Sequence, residues 1–193
     1  MTDAPLRAMQ EELLGLLAAR KGHFRFESGH HGDLWLELDA LFLRPQRLGR
    51  FAEELARRLS AHRVDAVCGP LVGGAFLAEM IATALDVEFS YSARATGYRL
   101  PVALRDAVHG RRVAVVDDVI NAGSAVRGTL ADLQDCGATP VAIGALLVLG
   151  SPAAELAAER GLPLETIASR PNLLWPPSDC PLCAAGLPLE VLS

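Results

Sequence analysis

Residues 113–129 read VAVVDDVINAGSAVRGT, and the fold follows from them. An apolar run, Val113-Ala114-Val115-Val116, ends in two adjacent carboxylates, Asp117 and Asp118. Five small residues follow (Asn121, Ala122, Gly123, Ser124, Ala125), and then Val126, Leu130 and Leu133 recur at helical spacing. A continuous apolar run leading into a helix reads as a buried parallel strand. Open α/β sheets place their ligands at the carboxyl ends of such strands. A loop without bulky side chains leaves backbone N–H groups bare at a helix N-terminus, where an anion can sit. Paired carboxylates beside such a cradle suit a sugar phosphate: the acids accept from vicinal hydroxyls and attract a divalent cation, and the amides hold phosphate.

The stretch resembles the 5-phosphoribosyl 1-diphosphate (PRPP) motif of type I phosphoribosyltransferases, and most of all the orotate phosphoribosyltransferase version, roughly DDVITAGTAIRES. The resemblance implies that Asp117 and Asp118 hold the ribose hydroxyls and that Asn121, Ala122, Gly123, Ser124 and Ala125 wrap the 5′-phosphate. Asn121 and Ser124 stand where the family has threonines, so a hydrogen-bonding side chain is kept at both.

One βα unit upstream, a strand over 64–68 runs into Gly69-Pro70-Leu71-Val72-Gly73-Gly74 and a helix to residue 85. A glycine-rich turn between strand and helix makes another amide-lined concavity. The resemblance makes it the diphosphate loop. After a short strand at 87–91, residues 92–110 carry Arg94, Arg99 and Arg105 with little periodicity. In the resembling family this region is a mobile loop that closes over PRPP, which implies catalytic roles for Arg94 and for Arg99 at the loop tip. Orotate enzymes put lysines and a histidine there, whereas this chain has a single lysine, Lys21. Arginine can clamp a diphosphate bidentately but is a poor proton donor. Downstream, a strand at 141–149, a helix at 152–160 and a strand at 164–168 complete five parallel strands. Orotate enzymes end the first of these strands in an Asp-Arg pair that grips the base; this chain has Leu149-Gly150.

Leu6, Met9, Leu13, Leu16 and Leu17 predict a helix over 6–20 that stops at Gly22. Residues 22–42 then alternate as a two-stranded hairpin with its turn at 29–32. This hairpin resembles the GxFxLxSG start of the hood that covers the base in orotate enzymes, through Gly22, Phe24, Phe26, Ser28 and Gly29. It implies base contacts from Phe26, Glu27 and Ser28, with Glu27 replacing a lysine. His30 and His31 read as surface imidazoles of the turn. The tail reads WPPSDCPLC, and its Cys180 and Cys183 offer two ligands where a closed structural metal site needs four. The missing ligands would have to come from a histidine or a second subunit. The default reading is a proline-stiffened tail, and no metal-ligating residue is assigned.

The 193 residues, 51% hydrophobic and 21% charged, suffice for one folded domain, with a hood at 22–43 plus a tail at 171–193 and a core at 44–170. A net charge of −5 argues against general nucleic-acid binding. No apolar run is long enough to span a membrane and the N-terminus lacks a signal-peptide layout, so a cytoplasmic protein is expected. The expected fold is α/β: a type I phosphoribosyltransferase fold with a five-stranded parallel sheet flanked by helices and a small N-terminal β hood. The resemblance further implies Mg²⁺ as cofactor, a homodimer, and transfer of ribose 5-phosphate from PRPP to a nucleobase nitrogen, orotate by family. Glu27 and Gly150 favour a non-anionic base instead, and the lysine-free loop favours a PRPP-binding regulator without catalysis.

Overall fold

The computed structural model describes residues 3–26, 28–94 and 97–191; Glu27 lies outside the described residues. Five parallel strands form the central sheet: β3 (Ala66–Pro70), β4 (Glu88–Ser92), β5 (Arg112–Ile120), β6 (Thr139–Leu149) and β7 (Leu164–Arg170). Their order is β4-β3-β5-β6-β7. The chain winds outward from β3 to β4, crosses back, and continues through β5 to β7. The order therefore reverses between β3 and β5, which is where an open α/β sheet opens a crevice for ligand.

Helices cover both faces, as the two-sided burial of these strands requires. On one side α3 (Pro45–Leu59) buries Leu48, Phe51, Leu55 and Leu59, and α4 (Gly73–Leu85) buries Leu77 and Ile81. On the other, α6 (Ser124–Asp135) buries Val126, Leu130 and Leu133, and α7 (Pro152–Arg160) buries Leu156. Each such side chain contributes about 1.5–3 kcal/mol of transfer free energy. Cys68 on β3 is a core residue, and burial pushes its thiol up to about 12.

A second sheet, of order β8-β2-β1-β9, forms the hood: β1 (Ala18–Arg25), β2 (His31–Glu37), β8 (Leu174–Trp175) and β9 (Glu190–Val191). The hood thus combines the N-terminal hairpin with the tail. The preceding helix α1 (Asp3–Leu16) is shorter than the sequence predicts. Leu13 and Leu17 complete its apolar stripe, and residues 18–21 pair with residues 34–37 instead of continuing the helix. The hairpin turn also falls earlier than expected, closed by bonds from the Gly29 N–H to the Phe26 carbonyl and from the Phe26 N–H to the His30 carbonyl. A short α2 (Asp39–Phe42) joins hood to core.

The stretch at 92–110 is not one long loop. Residues 102–108 form α5 (Val102–Val108), too short for its period to show in sequence. Asp132, buried on α6, fixes its start: one carboxylate oxygen accepts the Leu100 N–H at 2.6 Å and the other lies 3.3 Å from an Arg105 guanidinium nitrogen. Arg105 is therefore a structural ion pair. Before α5, Ala93 pairs with Arg99 and the Tyr98 N–H bonds the Ala93 carbonyl.

Candidate active site

β5 continues past its apolar run to Ile120, so Asp117 and Asp118 lie within the strand. They are only 9% and 8% exposed. The Asp118 N–H bonds Asp117 Oδ1 at 3.1 Å and the Val119 N–H bonds Asp118 Oδ1 at 2.9 Å. Burial first, and then the neighbouring Asp118 charge, push Asp117 well above the ordinary carboxylate range. A buried like-charged pair is costly unless something neutralises it. Ribose hydroxyls and a divalent cation would do so.

The turn at 69–74 closes on this pair. A methyl on Gly73 would lie 2.2 Å from Asp118 Oδ2, and one on Gly74 would lie 2.6 Å from Asp117 Oδ1. A methyl on Gly69 would lie 2.0 Å from the Gly74 carbonyl oxygen. A Cβ at Gly69 would strike backbone, and at Gly73 or Gly74 it would force a carboxylate aside; the result is a backbone held against two carboxylates at the switch point between β3 and β5. Pro70 ends β3, and Leu71 and Val72 form the exposed turn into α4.

The loop at 121–123 joins β5 to α6. Gly123 takes φ +75 as the residue before α6, and no side chain caps that helix. Among the described residues the N-terminus of α4 is likewise uncapped by any side chain. Two helix N-termini, each carrying partial positive charge on its free N–H groups, thus flank the acids. Ala122 and Ser124 lie on the loop and first turn. The side chain of Asn121 is already engaged, accepting from Asn172 Nδ2 at 2.9 Å.

Arg94 lies two residues beyond β4, at the same edge as the acids. Arg99 does not occupy a loop tip. Its carbonyl accepts from the Ala93 N–H, and the next residue is tied to Asp132 in the third turn of α6. Tyr98 packs over Gly128 of α6, where a methyl would come within 2.9 Å of its Cβ.

The hood residues divide. Phe26 stacks on Trp35, with ring centroids 6.1 Å apart and planes 5° from parallel, and Ser28 Oγ lies 3.2 Å from His30 Nδ1. His31 is buried, 4% exposed, and is not a surface imidazole. It begins β2, and alternation turns it inward where His30 is half-exposed. It meets His23, Cys180 and Cys183, whose nearest nitrogen and sulfur atoms all lie within 4.8 Å of one another.

Sequence reading also missed the strap at 171–173, which joins β7 to β8 across the ligand edge. The Asn172 carbonyl lies 3.0 Å from where a Gly150 side chain would begin, and Gly150 takes φ +66. A side chain at this position would take a strained left-handed backbone and press on the strap. The neighbouring strand places Arg170 opposite Leu149. Asn172 Oδ1 is buried without a hydrogen-bond partner among the described residues. Neither residue belongs to a motif, so only the fold reveals them.

No protein-family model matches the chain. Among curated proteins it is 31% identical over 176 residues to orotate phosphoribosyltransferase of Thermotoga maritima, covering 90% of each chain. Among solved structures it resembles Mycobacterium tuberculosis orotate phosphoribosyltransferase in complex with PRPP, with TM-score 0.65, 22% identity and coverage of 85% of this chain and 95% of that one. Adenine phosphoribosyltransferase of Thermoanaerobacter pseudethanolicus superposes as well, with TM-score 0.66 at 17% identity, covering 83% and 99%. The backbone is thus common to enzymes named for different bases. The acid pair, the two glycine-built loops and the extent of the Thermotoga match together place this chain in the orotate phosphoribosyltransferase family.

Proposed function

We propose that the protein transfers ribose 5-phosphate from PRPP to the ring nitrogen of orotate, releasing diphosphate. One observation carries the PRPP reading: Gly73 and Gly74 bring the diphosphate loop to the van der Waals limit of Asp118 and Asp117. The 5′-phosphate and the 1-diphosphate of PRPP flank its ribose, and the two glycine-rich turns at the acid pair suit that arrangement.

The bond from C1 of the ribose to diphosphate breaks as the base nitrogen attacks the opposite face, through an oxocarbenium-like transition state. Catalysis of such a step is positioning and electrostatic stabilisation. Asp117 and Asp118 accept from the ribose hydroxyls, and their charge favours the cationic ring that develops. The loop at 121–125 and the N-terminus of α6 fix the 5′-phosphate. The turn at 69–74 holds the leaving diphosphate at the N-terminus of α4, with Arg94 as its side-chain cation. Mg²⁺ fits this donor set, since it prefers oxygen ligands from one or two carboxylates together with substrate phosphates. When bound it would neutralise charge on the leaving diphosphate.

The family name supports orotate as acceptor. In place of the absent Asp-Arg pair we assign Arg170 to the orotate carboxylate and Asn172 Oδ1 to a ring N–H. A second reading, a non-anionic base, is favoured by Gly150, where a side chain in place of the family's arginine would be strained and crowded by the strap. Diphosphate release measured with PRPP, Mg²⁺ and a panel of bases decides between them. Turnover with orotate supports the proposal. Turnover confined to a neutral or amino-bearing base overturns the acceptor, and PRPP binding without turnover on any base points to a regulator.

A further inference from the structure

Two histidines and two cysteines from distant parts of the chain converge at the centre of the hood. His23 Nε2 lies 3.2 Å from His31 Nδ1, 3.4 Å from Cys180 Sγ and 3.6 Å from Cys183 Sγ. Cys183 Sγ lies 3.3 Å from His31 Nδ1. A tetrahedron with zinc's usual bond lengths has edges of roughly 3.3 Å between nitrogens and 3.6 Å between nitrogen and sulfur. Four of the six separations stand within about 0.3 Å of those edges, and all six lie within 4.8 Å.

The backbone is arranged to bring them there. β1 carries a bulge between Lys21 and Phe24. A bulge re-aims a side chain, and this one lets the consecutive residues His23 and Phe24 both point inward, 4% and 0% exposed. β8 pairs with β2 at His31, opposite Trp175, and β9 pairs with β1 at Phe24, opposite Glu190. Between β8 and β9, the helical turn α8 (Pro181–Ala184) places Cys180 and Cys183 on one side. The tail is thus strapped down on both flanks of the cluster.

The donor atoms have also been prepared. His23 Nδ1 lies 3.0 Å from the Leu187 carbonyl oxygen. A carbonyl can only accept, so Nδ1 carries the ring proton and Nε2 presents its lone pair to the cluster. Such an outer hydrogen bond is what orients a metal-ligating histidine. His23, His31 and Cys180 are buried and Cys183 is exposed, which closes the site on three sides and leaves an entry path.

We propose that His23, His31, Cys180 and Cys183 bind one Zn²⁺ per chain as a closed structural site that fastens the C-terminal tail to the hood. Two nitrogens and two thiolates in tetrahedral array suit zinc rather than a hard cation. Binding displaces one proton from each thiol and leaves a neutral centre. Four protein ligands leave no position for substrate, so the ion takes no part in the transfer reaction. The site stands independently of the acceptor base and of PRPP binding.

The test is the metal content of the full-length protein, expressed with zinc supplementation and dialysed against metal-free buffer. One zinc per chain is expected, with none in the Cys180→Ser/Cys183→Ser variant and full content in Cys68→Ser and Cys136→Ser. Should the double variant fail to fold, cobalt substitution of the unaltered protein gives a second readout. Intense visible bands of a tetrahedral thiolate centre, together with protection of Cys180 and Cys183 from alkylation, are expected. Substoichiometric zinc, zinc retained in the double variant, iron in place of zinc, or weak octahedral cobalt bands would each overturn the assignment. Calorimetry with PRPP on the zinc-free variant separates this site from the active site: PRPP binding survives if the variant is folded.

Discussion

Gly69→Ala perturbs the active site through backbone alone, which makes its effect calculable. The new methyl would stand 2.0 Å from the Gly74 carbonyl oxygen, 2.3 Å from its carbon and 2.8 Å from the Ala75 nitrogen. No rotamer can relieve contacts with backbone, so β3 and the first turn of α4 must separate by about 1.4 Å to regain ordinary van der Waals distance near 3.4 Å. That turn bears the amides assigned to the diphosphate. A misplacement of about 1 Å costs roughly 10²-fold in rate, equivalent to about 2.7 kcal/mol of transition-state stabilisation. Steady-state kcat/KM and calorimetric PRPP affinity are the assays, with Gly49→Ala as control. Gly49 sits within α3 with nothing within 4 Å of a methyl. Its substitution should leave kinetics unchanged and stabilise the helix by about 0.5–1 kcal/mol. If Gly69→Ala kept PRPP affinity and kcat/KM within about threefold, a difference of only about 0.7 kcal/mol, the cradle assignment would be refuted.

Three further outcomes are expected. Asp117→Asn should raise the melting temperature of the ligand-free protein, by about 2–4 °C for each kcal/mol of relieved burial and repulsion, while weakening PRPP roughly 10–100-fold; a lower melting temperature would contradict the strained pair. Arg170→Gln should raise KM for orotate roughly 10–100-fold, the worth of a charge-assisted hydrogen bond, with little change in PRPP affinity; equal losses for a neutral base would remove its carboxylate role. Glu54 is held at about 2, first by its hydrogen bond from Arg57 and also by Arg58. Since its pKa is depressed, its stabilisation is complete above the ordinary value of 4.5 and lost as pH falls from there through about 2. Urea titrations of Glu54→Gln should show a flatter pH dependence across that window, and an unchanged slope would count against the pairing.

The central sheet was legible because buried parallel strands are continuous apolar runs and because glycine-rich turns mark their carboxyl ends. The run at 113–116 announced β5, and GPLVGG announced the entry to α4. What could not be read from local pattern was decided by contacts distant in sequence. Residues 18–21, Ala-Ala-Arg-Lys, favour helix by intrinsic preference and become strand because residues 34–37 pair with them. α5 is anchored by Asp132, which lies 32 residues beyond Leu100. His23, His31 and the Cys180–Cys183 pair looked like unrelated residues until β8 and β9 folded the tail back onto the hairpin. Gly150 appeared in sequence as a missing arginine; in the fold it takes a left-handed backbone beside the Asn172 carbonyl, which disfavours any side chain. The acid pair and the two glycine-rich turns were therefore visible in advance, whereas the strap and the tail's place in the hood were not.

The account rests on Asp117 and Asp118 forming, with the loops at 69–74 and 121–125, a single PRPP site. Calorimetric titration of PRPP with Mg²⁺ into the unaltered protein and into Asp117→Asn/Asp118→Asn tests that claim most directly. One PRPP bound per chain in the former and none detectable in the latter is the predicted result. No binding to the unaltered protein, or undiminished binding to the double variant, would contradict it.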